Sequence, residues 1–333
     1  MVGPAPVKWQ PPAHRLDPRY TAAGDVYLIG HLGVAHVDPR AWRLRVDGLV
    51  DTPLELGLDE LRAMGTEPVT ALLECFGNPL DPDVPVRRAA NLRWRGVPVR
   101  AVLERAGVRD RATTVWATGL DHGRFAGEDC TEYRKDLPLD VVLDRGLLAY
   151  ELDGGPLPAE RGFPVRLVVP GYFGTNNVKW LGALTVADRR PEHLFTTRLY
   201  QRPPPGGGAP EPVRDMDVNS LITVPRDGTD VEPVGDAGPE VAGWAWSSVA
   251  VERVEVAVDG RWEPAELEAR RRGPVTWQRF RTRRPLTPGV HDVAVRATDR
   301  GGRSQPDDGA RNAVQHVRIR VGRAGPDCAG LPE

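Results

Sequence analysis

Residues 42–50, Trp-Arg-Leu-Arg-Val-Asp-Gly-Leu-Val, alternate apolar and polar positions and close on Asp-Gly. That is the pattern of a half-buried strand running into a turn. The spacing predicts short helices over 58–63, 97–106 and 139–148, and buried strands over 115–117 and 165–170. These elements make up a mixed α+β domain over residues 20–203, preceded by a proline-rich N-terminal extension, 1–19, that wraps an outer surface. Residues 204–210, Pro-Pro-Gly-Gly-Gly-Ala-Pro, permit no regular element and read as a linker. Beyond it the pattern changes. Residues 254–258 alternate and meet Asp259-Gly260, a hairpin signal, and 293–297 and 317–321 alternate again. Several short strands separated by turns predict an antiparallel β-sandwich over 211–323, with a C-terminal tail at 324–333.

Composition refines this picture little. The chain of 333 residues is long enough for two cores, and its 36 Gly and 33 Pro favour many short elements over long helices. A formal net charge of -2 gives no general attraction to nucleic acid or to an acidic membrane. Three cysteines, Cys75, Cys130 and Cys328, make neither a disulfide framework nor a zinc pattern, which suits a reducing compartment. The N-terminus lacks the apolar core of a signal peptide. No apolar run reaches the about 18 residues of a membrane helix. The expected location is therefore the cytoplasm.

Three segments carry candidate chemistry. In 72–78, Leu-Leu-Glu-Cys-Phe-Gly-Asn, Cys75 leaves an apolar run and meets a turn signal. An accessible thiolate there is a nucleophile or soft-metal ligand, although most free cysteines are small buried hydrophobes. In 161–180 a buried strand ends in Pro-Gly and reaches Asn177-Val178-Lys179 through a glycine-bearing loop. Backbone amides, an amide side chain and a lysine suit an anion, whereas a plain loop with a solvated lysine is the default. In Gly119-Leu120-Asp121 a carboxylate follows a strand end, where a surface turn is the ordinary reading.

Together, Cys-x-Gly-Asn, Arg-Trp-Arg-Gly-Val-Pro with Trp94 nineteen positions after Cys75, Gly-Leu-Asp, Gly-Phe-Pro-Val-Arg-Leu-Val-Val-Pro-Gly and Val-Lys-Trp-Leu resemble the sulfite oxidase family of molybdenum enzymes. Asn219-Ser-Leu-Ile-Thr-Val-Pro, Gly243-Trp-Ala-Trp and 254–260 are similar to that family's immunoglobulin-like dimerisation domain. The resemblance runs from Tyr27 to Val321. It implies a molybdopterin-binding α+β domain followed by an immunoglobulin-like sandwich, and a homodimer.

The resemblance further implies that Cys75 binds molybdenum beside a pterin dithiolene. Arg166, Lys179, Asn177 and Val178 then anchor the pterin's tail, Asp121 meets its rings, and Tyr27 and His31 touch it from the opposite side. Arg161 stands where many members place a histidine, and Cys130 and Cys328 match nothing. Trp94 and Tyr200 match the substrate pocket, Trp94 as a wall and Tyr200 as a hydrogen-bond donor to substrate.

Three pocket places that hold arginines in sulfite oxidases read Ile29, Leu80 and Gln278. Losing three charge-assisted hydrogen bonds of ~1.5–3 kcal/mol each weakens sulfite binding by roughly a thousandfold unless something compensates. Arg279 lies one residue from Gln278, but a one-residue slip in a strand faces the other side. Arg87 and Arg88 could reach inward from a loop. The expected activity is thus two-electron oxygen-atom transfer on a small substrate less charged or larger than sulfite. With no room for a haem domain, electrons pass to or from a separate partner. A sulfite oxidase with compensating arginines, an N-oxide or S-oxide reductase, and a cofactor-less binding protein that kept the fold stay open as alternatives.

Overall fold

The computed structural model describes residues 6–78, 81–84, 86–203, 207–232, 237–271, 273 and 275–322. It divides into two compact units. The first holds Tyr20–Phe76, Arg88–Met216 and the N-terminal residues up to Gln10; the second holds Pro11–Arg19, Gly77–Arg87 and the chain from Asp217. The α+β expectation holds for the first unit and the sandwich for the second, but neither unit is continuous in sequence. Val7–Trp9 pairs antiparallel with Leu28–Gly30 in the first unit. In the second, the indoles of Trp244 and Trp277 donate to the carbonyl oxygens of Leu16 and Arg19, each at 2.8 Å.

The first unit contains two sheets. One has the order Arg134–Pro138, Thr114–Gly119, Leu181–Ala187, Leu44–Gly48, Leu54–Leu56. The expected strand at 42–50 is its Leu44–Gly48, paired in parallel with Leu181–Ala187. Gly48 has φ 87°, and a Cβ there would collide with the Val186 carbonyl oxygen, so the Asp-Gly step allows two backbones to approach. The second sheet is built on a long hairpin, Glu67–Glu74 against Ala89–Pro98, which the sequence pattern did not reveal. Leu147–Leu152 pairs with Ala89–Pro98, and Arg166–Val168 pairs with Leu147–Leu152.

Two helices are shorter than expected. Residues 97 and 98 finish the strand Ala89–Pro98, and the helix is Val99–Ala106, burying Val99, Val102, Leu103 and Ala106 at helical spacing. The helix expected to reach 148 is Leu139–Arg145. A Cβ on Gly146 would sit 2.5 Å from the Val142 carbonyl oxygen, and the apolar run after it is a buried strand. Short apolar runs do not distinguish helix from strand by periodicity.

By contacts the first unit extends to Met216 and the second resumes at Asp217. Residues 204–206 of the expected linker lie outside the described residues, as does the tail 324–333 with Cys328. Gln201–Arg202 pairs with Glu211–Pro212, and Val213 and Met216 are buried.

The second unit has a four-stranded sheet ordered Asn219–Val224, Glu240–Trp246, Gln278–Arg283, Glu266–Leu267. Its five-stranded sheet is ordered Asp230–Val231, Gln315–Val321, Gly289–Asp299, Val251–Val258, Arg261–Pro264. Inward residues of both sheets, among them Ile222, Phe280, Val256 and Val295, form one core. The Asp259-Gly260 hairpin is present, joining Val251–Val258 to Arg261–Pro264 with φ 50° and 81° at its two turn residues.

Candidate active site

The first unit encloses a cavity built where strand ends and loops converge. Cys75 follows the last residue of Glu67–Glu74 and lines it, its N–H donating to the Arg88 carbonyl at 2.9 Å. Trp94, from the partner strand of that hairpin, Tyr27, Ile29 and His31 from the segment around Leu28–Gly30, Asp121 after Thr114–Gly119, and Tyr200 also line it. So do Arg161, Arg166, Asn177 and Lys179 from 161–180. Gly174 must be small here, because a Cβ would lie 2.5 Å from the Tyr27 hydroxyl.

The cations of the cavity are held by backbone. Arg166 donates to the carbonyls of Arg161 and Asn177 at 3.2 and 3.1 Å, with its guanidinium 5.1 Å from the Trp94 ring centroid. Lys179 Nζ donates to the carbonyls of Ile29 and Glu160 at 3.0 and 3.3 Å. Arg161 donates to the carbonyls of Val26 and Tyr27, fixing the segment that carries Ile29 and His31.

Four polar atoms of residues lining this cavity are buried without a protein partner: Trp94 Nε1, His31 Nδ1, Asp121 Oδ1 and Arg166 Nε. An unmet buried polar group costs about 1–3 kcal/mol, so four around one cavity point to a ligand that bonds them. Donors from Trp94 and Arg166, an acceptor from Asp121, a thiol from Cys75 and an imidazole are the set that a thiolate-bound metal with a hydrogen-bonding heterocyclic chelate requires. The residues present therefore fit the implied cofactor.

Burial dominates the electrostatics. It raises Asp121 and lowers Lys179, against the attraction between the two. It lowers Arg166 to about 10 and His31 to about 4, Lys179 and Lys8 adding to the shift at His31, so the imidazole is neutral at ordinary pH. Tyr27 and Tyr200 are pushed up by burial and then by negative charge at Cys75; Tyr133 is raised by burial and then by Tyr200. Three phenols thus stay protonated near the thiol.

Some expected residues lie elsewhere. Val178 is in the apolar core, its carbonyl accepting from Leu167 N at 2.8 Å, and does not line the cavity. Asn177 lines it, but its amide is used in the loop: Oδ1 accepts from Val169 N at 2.6 Å and Nδ2 donates to the Tyr172 and Phe173 carbonyls. Gln278 is in the second unit, where its amide bridges Val251 N and the Glu268 carbonyl. Arg279 pairs with Asp17 at 2.6 Å. Arg87 is tied to the carbonyls of Pro82, Val84 and Val86, and Arg88 donates to Gln10 at 2.5 Å. Leu80 lies outside the described residues. Cys130 is half-buried on Glu128–Cys130, with burial and then Glu128 raising its thiol.

The sequence reading missed Phe76, Tyr133, Glu160 and Thr175, which also line the cavity. Phe76 and Thr175 lie inside segments singled out for other residues, so their neighbourhood was a usable signal. Tyr133 carried none.

This architecture and donor set define a molybdopterin-binding domain followed by a β-sandwich. Residues 31–195 match the oxidoreductase molybdopterin binding domain, and residues 211–318 match the Mo-co oxidoreductase dimerisation domain. Human mitochondrial sulfite oxidase is 32% identical over 91% of this chain and 60% of its own length. Chicken sulfite oxidase is also 32% identical, over 91% of this chain and 72% of its own length. Barley nitrate reductase [NAD(P)H] is 30% identical over 92% of this chain and 39% of its own. The sulfane dehydrogenase SoxCD of Paracoccus pantotrophus superimposes with a TM-score of 0.80 at 26% identity, covering 96% of this chain and 86% of that one. The chain belongs to the sulfite oxidase family of molybdopterin oxidoreductases. It spans about three fifths of the length of the human enzyme. Among the described residues no helix is long and apolar enough to cross a membrane.

Proposed function

We propose that this protein is a molybdenum–molybdopterin oxidoreductase acting by two-electron oxygen-atom transfer on a small substrate less charged or larger than free sulfite. The observation that carries the cofactor reading is the cluster of four unpartnered buried polar atoms in the cavity lined by Cys75. When bound, the cofactor supplies the two-electron redox couple and the transferable oxygen.

The chain's own residues do the rest. Cys75 holds the metal, and Arg166, Lys179 and Arg161 are the cations beside the chelate's anionic tail. Asp121 and Trp94 meet its rings. Tyr27 and neutral His31 close the opposite side. Tyr200, protonated and hydrogen-bonded to His31 Nε2, is the donor to a substrate oxygen. Asn177 acts indirectly by clamping the loop that carries Lys179.

The substrate reading rests on the lining. The arginines and lysine among its described residues are Arg161, Arg166 and Lys179, each engaged with backbone carbonyls, and around the thiol stand Phe76, Tyr27, Tyr133 and Tyr200. Those three cations are assigned to the chelate's anionic tail, so a dianionic substrate entering beside the thiol would lose water against a mostly aromatic lining. Steady-state turnover with an artificial electron carrier tests this. Sulfite saturating at micromolar concentration overturns the substrate reading; preference for a neutral sulfur compound supports it. Extraction of pterin and elemental analysis test the cofactor reading, and absence of molybdenum from protein made in a cofactor-competent host overturns it.

The relatives carry the names of both sulfite oxidases and a nitrate reductase, so a reductase of an N-oxide or S-oxide is the second reading. The reaction's direction is read by testing oxidant and reductant in turn. A separate protein exchanging the electrons, pairing of two chains through the second unit, and a cytoplasmic location complete the proposal.

A further inference from the structure

The chain has three lysines, Lys8, Lys135 and Lys179. Lys135, on the strand Arg134–Pro138, is 1% exposed and lies outside the lining of the cavity. Its ammonium donates to the Phe195 carbonyl at 2.7 Å and sits 5.2 Å from the ring centroid of Tyr200. The neighbouring carboxylate, Asp136, is taken by Arg190 at 2.6 Å and Arg214 at 3.3 Å. A buried ammonium this poorly supplied with acceptors is expensive, and the electron-rich face of Tyr200 is its remaining partner.

Tyr200 is held from several sides. Its φ of 58° is in the left-handed region, which a tyrosine adopts only when its surroundings impose it. Its carbonyl accepts from Val213 N at 2.8 Å, its hydroxyl meets His31 Nε2, and the Phe76 ring packs at 6.2 Å. Lys135 lies under the ring face.

We propose that Lys135 is a positioning residue whose ammonium, packed beneath the Tyr200 ring, orients that ring and strengthens the O–H with which it meets a substrate oxygen. The proposal rests on the reading of the cavity given above. A cation on the ring face draws density away from the phenol oxygen, making its proton a better donor. The ammonium must be present for this. Burial first, with Arg190 and Arg214 adding to it and Asp136 opposing, lowers Lys135 to about 8; His193 also lies within its field. The support is therefore complete below that pH and is lost as pH rises through it.

With three lysines, labelling at 13Cε gives a spectrum of three signals, the Lys135 signal being the one missing in Lys135→Met. The expected result is an upfield ring-current shift and a midpoint near 8, both altered by Tyr200→Leu. In the molybdenum-loaded enzyme, Lys135→Met is expected to lower kcat by about tenfold. KM and metal content stay within about twofold, the fall of kcat above pH 8 disappears, and Lys135→Arg recovers part of the rate. A Lys135 signal indifferent to Tyr200→Leu overturns the proposal, as does an unchanged kcat. Lys135→Arg removes the same signal, so the assignment and the contact are decided even if Lys135→Met is unstable. Failure to load molybdenum with the ring contact intact counts against the cavity reading alone.

Discussion

Both units bury polar groups, but they satisfy them differently. In the sandwich, Gln305 accepts from Ala297 N and Ser220 Oγ and donates to the Asn312 and Ala313 carbonyls. Asp299, fully buried, accepts from Ser247, Gly301 and Arg303. Among the described residues of that unit, the one buried side-chain atom without a hydrogen bond is Arg284 Nη2, and it lies 3.4 Å from Glu263. In the first unit four such atoms belong to residues that line one cavity together with a thiol. Closed polarity holds a fold together; open polarity waits for something to bind. The same chemistry, completed or left incomplete, separates a scaffold from a site.

The sharpest way to break this contrast is Cys75→Ser. It is expected to leave thermal unfolding nearly unchanged while lowering turnover by about a thousandfold or more, about 4 kcal/mol in barrier. Turnover close to the unmodified protein would remove the site from this cavity. In the sandwich, Asp299→Ala leaves Ser247 and the Gly301 and Arg303 amides without their acceptor, and denaturant titration should show a loss of about 1–3 kcal/mol.

A pH effect comes next. His31 is lowered from 6.5 to about 4, chiefly by burial, so between those values the unfolded chain binds a proton that the folded chain does not. Stability should fall as pH drops through that window, by at most about 1.4 kcal/mol per unit, and His31→Phe should flatten the slope. A slope unchanged in the variant assigns it to other groups.

Arg166→Met tests the open side of the comparison directly. It is expected to change folding stability by less than about 1 kcal/mol, because a buried guanidinium is costly to keep. Retention of the pterin should nevertheless weaken by about tenfold or more, read by equilibrium dialysis. The smallest effect is expected at Gly260, which has φ 81° and open space around it. Gly260→Ala should cost about 1 kcal/mol of left-handed strain and leave the cavity untouched.

Much of this was legible before any coordinates. The alternation at 254–258 with Asp259-Gly260 located a hairpin that is present, and the Asp-Gly at 47–48 marked a close backbone approach. The segments bearing Cys75, Asp121, Arg166 and Lys179 do converge on one cavity. The helix ends were not legible, because Leu147 and Leu148 extend an apolar run equally suited to helix or strand. Gln278, which the resemblance assigns to the pocket, bridges Val251 N and the Glu268 carbonyl within the second unit. The resemblance makes Asn177 an anchor, while its amide bonds within the loop.

The order of side-chain types along the chain determined the two architectures and the thiol at a strand end, since periodicity and turn chemistry act over a few residues. Only the tertiary structure decided which buried polar groups are answered and which are left open. It also decided that a lysine in an ordinary-looking strand would lie under an aromatic ring sixty-five positions away. Burial and partnership arise between segments distant in sequence, and no local pattern encodes the atom that arrives from the far strand.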